Sequence, residues 1–405
     1  MTTVHDTTLK KPRTAVILRR TAIALALFAL IIVPAAILLV ITKQPSATYA
    51  SMGALIGAFA LLAGGLRIGI LTSLVAALLA PLAIVAGLSP ITGAVLMILM
   101  TLMVGRLSLF GLHRATMLVP IFLAWPMLSP IPWLPRMELG QLKTILTNNG
   151  LTLTDALSKA QASGTASTSA GSGTSATTIH HAMVDMRLDT TYLSWVIAFF
   201  FLGAIVPVLV LHFVLRKRSL PTPKPNPRSE ALNYTITICV LTGIAMYYFI
   251  DHPKQTSGSF FIATILVLTQ VGSDIEWKLT LQRVLGTFGG LLALTGLMAL
   301  MGQAKYTDVV GIPMPVNLYI VGAVFGVGAI IAKFSPRQWI YYILITPTAA
   351  LLNAYTMSAA SDIGKQRLVD NLVGAALVIV AAGITIGAGR LKSTSTPNET
   401  AVAGA

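Results

Sequence analysis

The 405-residue chain is 55% hydrophobic, and only 10% of its residues are charged. This excludes a typical water-soluble domain, in which about 25% of residues are charged. The formal net charge of +15 would indicate a nucleic-acid partner in a soluble protein, but no RNA- or DNA-binding motif accompanies it. Membrane proteins concentrate Lys and Arg in cytoplasmic loops, so we expect a membrane protein with lipids around it and no nucleic-acid partner.

Apolar stretches follow one another along the chain, and each approaches the roughly 20 residues that cross a bilayer. The first is too long for the apolar core of a removable signal peptide, which has roughly 7 to 15 residues. We therefore predict an all-α integral membrane protein with about twelve transmembrane helices. The six predicted spans of the first half are 21–42, 48–64, 68–87, 91–105, 115–134 and 191–215. The six of the second half are 232–250, 258–272, 284–301, 317–332, 339–356 and 369–389.

The distribution of basic residues predicts the orientation of these spans. With the basic N-terminal tail in the cytoplasm, nineteen of the 28 Lys and Arg residues lie on the cytoplasmic side, in agreement with the positive-inside rule. The predicted segments are a tail at 1–20, a first half at 21–215 with an outer loop at 136–190, a Pro-rich basic cytoplasmic strap at 216–230, a second half at 231–390, and a cytoplasmic tail at 391–405.

Two halves of six spans that both start in the cytoplasm predict a parallel repeat, a common plan in transporters. Pro120 and Pro347 interrupt the two fifth spans. A proline-broken helix frees backbone groups, which inside a membrane must face protein or a watery cavity. We therefore predict a substrate site beside Pro347, lined by Tyr342, Thr346 and Asn353. Simple bending of the helices is the alternative.

No sequence motif of catalysis is found, neither a Walker A loop nor HExxH, G-x-S-x-G or a Cys/His cluster. We expect no enzymatic activity, no metal site and no cofactor. All thirteen acidic residues are predicted to lie in tails, loops or span ends, which disfavours a carrier with a carboxylate relay in the membrane. Coupling to protons would then use the end of a span, where Asp370 lies beside Arg367 at the start of the last one.

The span that begins near residue 284 combines glycines with polar residues. Gly286 and Gly290 have the spacing of close helix packing, and Arg283 and Thr287 share their helix. We predict that Arg283 and Arg337 form a positive vestibule that draws anions toward the substrate path. The alternative for Arg283 is that its side chain extends to lipid phosphates.

Two stretches, GSDIEWKLTLQRVLGTFGGLLALTG (272–296) and KQRLVDNLVGAALVIVAAG (365–383), resemble the fusaric acid resistance (FUSC) or aromatic acid exporter-like integral membrane protein family. The residues that carry the resemblance are Arg283, Gly286, Thr287, Gly290, Arg367, Asp370 and Gly374. It covers roughly 232–390. Larger members have a sizeable cytoplasmic domain between the halves, where this chain has only the strap.

The resemblance implies efflux of small aromatic or organic acids across the bacterial inner membrane, often together with a periplasmic adaptor protein. Two alternatives stay open: a passive anion channel, and a non-transporting membrane subunit that recruits such an adaptor. The sequence also leaves open whether the chain forms a homo-oligomer.

Overall fold

The computed structural model describes residues 13–42, 45–128, 187–216, 222–252, 258–269, 271, 277–301, 305–309, 312–333, 337–352, 354 and 357–394. Most of the predicted outer loop, the outermost part of both tails and Asn353 lie outside the described residues. The helices in chain order are α1 (Arg13–Thr42), α2 (Tyr49–Ala86), α3 (Pro90–Ser108), α4 (His113–Thr116), α5 (Leu118–Leu128), α6 (Thr190–Leu215), α7 (Arg228–Asp251), α8 (Gly258–Leu268), α9 (Trp277–Met301), α10 (Val316–Lys333), α11 (Gln338–Leu352) and α12 (Met357–Thr394).

Each of the twelve predicted stretches falls at least in part on one of these helices. Eight helices within the described residues are long and apolar enough to cross a membrane, and α8 and α11 are shorter apolar helices. The fifth predicted stretch is divided at Met117 between α4 and α5, three residues before Pro120, as predicted for a proline-interrupted span. The predicted strap ends earlier than expected, because α7 already begins at Arg228.

The second and third predicted stretches are the two arms of α2, which reverse direction at Gly65. This residue has φ 81° and ψ −178°, a backbone conformation that is essentially restricted to glycine. A Cβ on Gly69 would lie 3.2 Å from the Cβ of Leu61, whereas eight residues of straight helix span about 12 Å. The chain therefore turns back on itself at Gly65.

The two predicted halves pack in a reciprocal way. The first span of each half contacts the fourth span of the other half: α1 lies against α10, and α7 lies against α3. The ordinals count the predicted spans, of which α2 contains two. Phe28 of α1 lies against Gly326 of α10, and Thr235 of α7 lies against Gly105 of α3. Within each half the second and sixth spans are partners, since α2 contacts α6 and α8 contacts α12.

A short β-hairpin that the sequence analysis did not predict connects α9 and α10. Its strands are β1 (Tyr306–Val309) and β2 (Ile312–Pro315), paired antiparallel with Tyr306 opposite Pro315 and Val309 opposite Ile312. The hairpin is too short to change the fold class, so the described chain is a helical bundle with one small β element.

Arg187, just before α6, joins the carboxyl ends of α2 and α5. Its guanidinium donates hydrogen bonds to the backbone oxygens of Ile84, Pro126 and Met127. Carbonyls in the last turn of a helix lack partners within the helix, and a cation there also favours the helix dipole. Burial lowers the pKa of Arg187 to about 10, so the side chain remains protonated at neutral pH.

We predict that Gly65→Ala destabilises the protein by about 1 to 3 kcal/mol, because alanine is strained at this φ and ψ. A Cβ at Gly65 would meet no atom within 4 Å, so backbone strain is the only cost. Gly296→Ala is the matched control, since its Cβ is equally unobstructed and Gly296 lies inside the regular helix α9. Thermal unfolding in detergent should show a lower midpoint for Gly65→Ala alone. Equal midpoints would contradict the strain at Gly65.

We also expect Arg187→Ala to lower the free energy of unfolding by at least about 2 kcal/mol, because it leaves buried carbonyls without donors. Arg187→Lys should recover part of the loss, since it keeps the charge but not the planar fork. Arg106→Ala removes an exposed arginine at the end of α3 and should have little effect. Unfolding midpoints in detergent measure all three variants, and a wild-type midpoint for Arg187→Ala would refute this role.

Candidate functional site

A buried polar cluster lies where α8, α9 and α12 meet. Its members are Thr264 on α8, Arg283 and Thr287 on α9, and Asn371 on α12, with exposures of 0%, 9%, 1% and 3%. Arg283 and Thr287 are four residues apart on one helix and so share a face. Three helices therefore contribute polar groups to one point of the bundle.

Hydrogen bonds connect the four side chains of this polar cluster. Arg283 donates from Nε to Oδ1 of Asn371 (2.9 Å) and from Nη2 to Oγ1 of Thr264 (3.0 Å). The Thr264 hydroxyl lies 2.7 Å from the same Asn371 oxygen. Nδ2 of Asn371 donates to Oγ1 of Thr287 (3.0 Å), which itself donates to the backbone oxygen of Arg283 (2.8 Å). The hydrogen-bond acceptors around the guanidinium are thus neutral.

Two more charged side chains lie beside the polar cluster on α12. Arg367 and Asp370 are one turn apart, with exposures of 8% and 7%. The guanidinium carbon of Arg367 lies 4.3 Å from the ring centre of Phe260 on α8, and Phe260 in turn contacts the ring of Trp125 on α5, with 5.3 Å between the ring centres. With all three groups ionised, Arg283, Arg367 and Asp370 leave a net positive charge in the core.

The helix that carries Asp370 begins earlier than the last predicted span. α12 begins at Met357, and its candidate membrane span is Ala360–Ile384. Asp370 therefore lies within α12 and not in its first turn, while its position at the end of a membrane span stays a prediction. A hydropathy window misses the first turns of α12, because their polar side chains include residues that are buried against other helices.

The predicted vestibule also differs from the structure. Arg283 is buried in the polar cluster, where its side chain donates to Asn371 and Thr264, whereas Arg337 is exposed directly before α11. An exposed pair of cations is therefore not formed, nor does Arg283 extend toward lipid. Of the predicted lining residues, Tyr342 does approach Arg283, with 5.5 Å from its ring centre to the guanidinium carbon.

The other face of α9 packs closely against α11. A Cβ on Gly286 would lie 2.5 Å from the Cβ of Tyr342, and a Cβ on Gly290 would lie 2.7 Å from the Cβ of Thr346. The Thr346 hydroxyl donates to the backbone oxygen of Tyr342. The two glycines therefore allow close packing, as their spacing predicts, and Thr346 serves this contact.

Pro347 does not break the helix that contains it. α11 continues from Gln338 to Leu352 through the proline, which has no N–H for the carbonyl of Ile343, four residues earlier. That carbonyl oxygen faces α9, since a Cβ on Gly290 would lie 2.7 Å from it. The group that the proline frees is therefore covered by helix packing. Asn353, the remaining predicted lining residue, lies outside the described residues.

Thr264 and Asn371 were missed from the sequence. Asn371 carried a weak signal, because it follows Asp370 directly and is a polar side chain within an apolar span. Thr264 is a lone hydroxyl within the apolar helix GSFFIATILVL. Its hydroxyl also bonds to the backbone oxygen of Phe260 (2.8 Å), as helical threonines commonly do, and nothing in the sequence pattern indicates the additional contact with Arg283.

A comparison with protein families matches the part of the chain that contains the polar cluster. Residues 242–381 match the family described as fusaric acid resistance protein-like, and this segment contains the polar cluster together with Arg367 and Asp370. No curated protein matches the chain, and no solved structure does. The resemblance predicted from the sequence is thus confirmed over residues 242–381: the protein is a multi-pass helical membrane protein whose second half is similar to the fusaric acid resistance protein-like family.

Proposed function

We propose that the protein exports small organic anions, aromatic acids among them, across the bacterial inner membrane and has no enzymatic activity. The observation that carries the proposal is the buried guanidinium of Arg283, whose hydrogen-bond acceptors in the polar cluster are neutral. A buried charge is costly unless an opposite charge compensates it. An anion that enters the polar cluster would supply that charge.

The arrangement of Arg283 suits a carboxylate. Its bonds to Asn371 and Thr264 use Nε and Nη2, and Nη1 makes no hydrogen bond to a residue within the described ranges. The edge formed by Nη1 and Nη2 can bind a carboxylate through two parallel hydrogen bonds. Arg367 adds a second buried cation beside it, and Phe260 and Tyr342 add aromatic rings.

The proposal includes twelve spans in two halves, with both tails and the strap in the cytoplasm. The reciprocal contacts support it, because α1 packs on α10 and α7 on α3, while the second helix pairs with the sixth in both halves. A parallel repeat about an axis along the membrane normal would produce such equivalent contacts. A periplasmic adaptor and self-association into a homo-oligomer belong to the proposal as partners.

Two mechanisms are candidates for this export. The net positive charge of the site favours the first of them, a passive path for anions. A membrane potential of 100 mV, negative inside, contributes about 2.3 kcal/mol for each unit charge. This corresponds to roughly a fiftyfold concentration ratio for a monovalent anion. An anion-selective path would therefore export such anions without a coupling ion.

Coupling to protons at Asp370 is the other mechanism. Protonation of Asp370 would remove the one negative charge among Arg283, Arg367 and Asp370, so an anion and a proton would each favour binding of the other. Electrostatics therefore gives movement of proton and anion in the same direction, which an inward proton gradient would drive as uptake. The passive path is thus the mechanism that agrees with export.

Arg283→Ala should lower the initial uptake rate of labelled benzenesulfonate into proteoliposomes at least about tenfold, because the fixed cation is lost. Benzenesulfonate stays ionised and does not cross the bilayer as a neutral acid. Arg283→Lys should keep part of the rate, since it retains the charge without the fork, and Arg106→Ala should match wild type.

Rates per folded molecule decide between the candidates. An equal rate for Arg283→Ala and wild type at low ionic strength would exclude Arg283 from the path. If wild type moves no organic anion until a periplasmic adaptor is added, the adaptor-recruiting subunit becomes the better description.

Asp370→Asn separates the two mechanisms. If Asp370 couples the proton, an inward proton gradient should accelerate inward movement of benzenesulfonate by wild type and leave the Asp370→Asn rate unchanged. If the path is passive, neither protein should respond to the proton gradient at a clamped membrane potential. An Asp370→Asn variant that keeps the full response to the gradient would remove this residue from the coupling.

A further inference from the structure

We infer that Asn371 is a positioning residue that holds Arg283 in place without cancelling its charge, and that its neutral amide thereby sets the preference of the site for anions. This inference rests on the proposed function, because it concerns the same polar cluster. It assigns a role to a residue that does not itself have to touch the transported anion.

The side-chain amide of Asn371 is fixed at both ends. Its oxygen accepts from Nε of Arg283 at 2.9 Å and lies 2.7 Å from the Thr264 hydroxyl, while its NH2 group donates to Thr287 at 3.0 Å. If the amide were turned over, its NH2 group would face the N–H of Arg283, and two donors would oppose each other. The network therefore determines the orientation of the amide.

A carboxylate at position 371 would meet the same neighbouring groups as the amide oxygen does. Arg283 could donate to it from Nε as it does to the amide oxygen, and the Thr264 hydroxyl would lie beside it. A charge-assisted bond between carboxylate and arginine is stronger than a neutral one. Aspartate at position 371 would thus hold Arg283 at least as well as asparagine does. The difference is electrical, because aspartate would neutralise the cation in the core and compete with an incoming anion.

The adjacent positions 370 and 371 of α12 have different roles. Asp370 and Asn371 are adjacent, and both are buried; of the two, Asn371 is the one whose amide accepts from Nε of Arg283. The carboxylate next to it is the one group here that can gain a proton. The neutral amide of Asn371 therefore holds Arg283 whether or not Asp370 is protonated, and it leaves the charge of the guanidinium uncompensated.

The test is Asn371→Asp, measured as the concentration dependence of benzenesulfonate uptake into proteoliposomes together with thermal unfolding. We expect KM to rise at least tenfold, while the unfolding midpoint stays at or above that of wild type. A purely structural role of Asn371 would leave KM unchanged in the folded fraction. Wild-type KM for folded Asn371→Asp would overturn the inference.

Asn317→Asp is the matched control. Asn317 accepts from the backbone N–H groups of Lys305 and Leu318 at the start of α10, so the same substitution adds a charge in the second half but outside the polar cluster. Its KM should equal that of wild type. An equal rise in KM for Asn317→Asp would show that any added negative charge has this effect and would overturn the specific role of Asn371.

A second variant covers failure of Asn371→Asp to fold. Thr264→Asp places a carboxylate against Nη2 of Arg283 from a different helix, and the same rise in KM is expected; wild-type KM would overturn the inference. Failure of this inference can be distinguished from failure of the proposed function. If only the inference fails, wild type transports the anion and Arg283→Ala is impaired. If the proposed function fails, wild type moves no organic anion or Arg283→Ala is unimpaired.

Discussion

The second half of the protein is organised around the burial of one guanidinium. The hydrocarbon core of a bilayer holds no water, so a polar group at that depth needs a partner within the protein or a water-filled cavity. Arg283 finds its partners on two other helices, Thr264 on α8 and Asn371 on α12. The meeting point of these three helices is thus fixed by hydrogen bonds, which have direction, in addition to apolar contact, which does not.

The helix that carries Arg283 has two adjacent faces with different tasks. Arg283 and Thr287 point to the polar cluster, while Gly286 and Gly290 lie against α11. The absence of side chains on the second face lets the backbone of α11 approach, which covers the carbonyl that Pro347 leaves without its usual donor. Close packing on one side of α9 and hydrogen bonding on the other hold it rigidly, as a site for a small ligand requires.

Local patterns predicted the features that one segment determines by itself. The apolar stretches correspond to helices, Pro120 does interrupt its span, and Gly286 and Gly290 do mark a close contact. The start of α12 was placed too late, because averaging over a window counts buried Arg367 and Asp370 as signs of a loop. The bonds of Thr264 and Asn371 to Arg283 could not be read from the sequence, since they depend on which helices become neighbours.

The reciprocal contacts between the halves also bear on how the protein is made. α1 packs on α10, but about 270 residues separate the end of α1 from the start of its partner. At a synthesis rate of roughly 5 to 20 residues per second, α1 waits about 15 to 55 s for α10. The mean hydropathy of its span, the highest among the eight candidate spans, suits a helix that until then exposes much of its surface to lipid. The contact of α1 with α10 thus forms only when most of the bundle is already in the membrane.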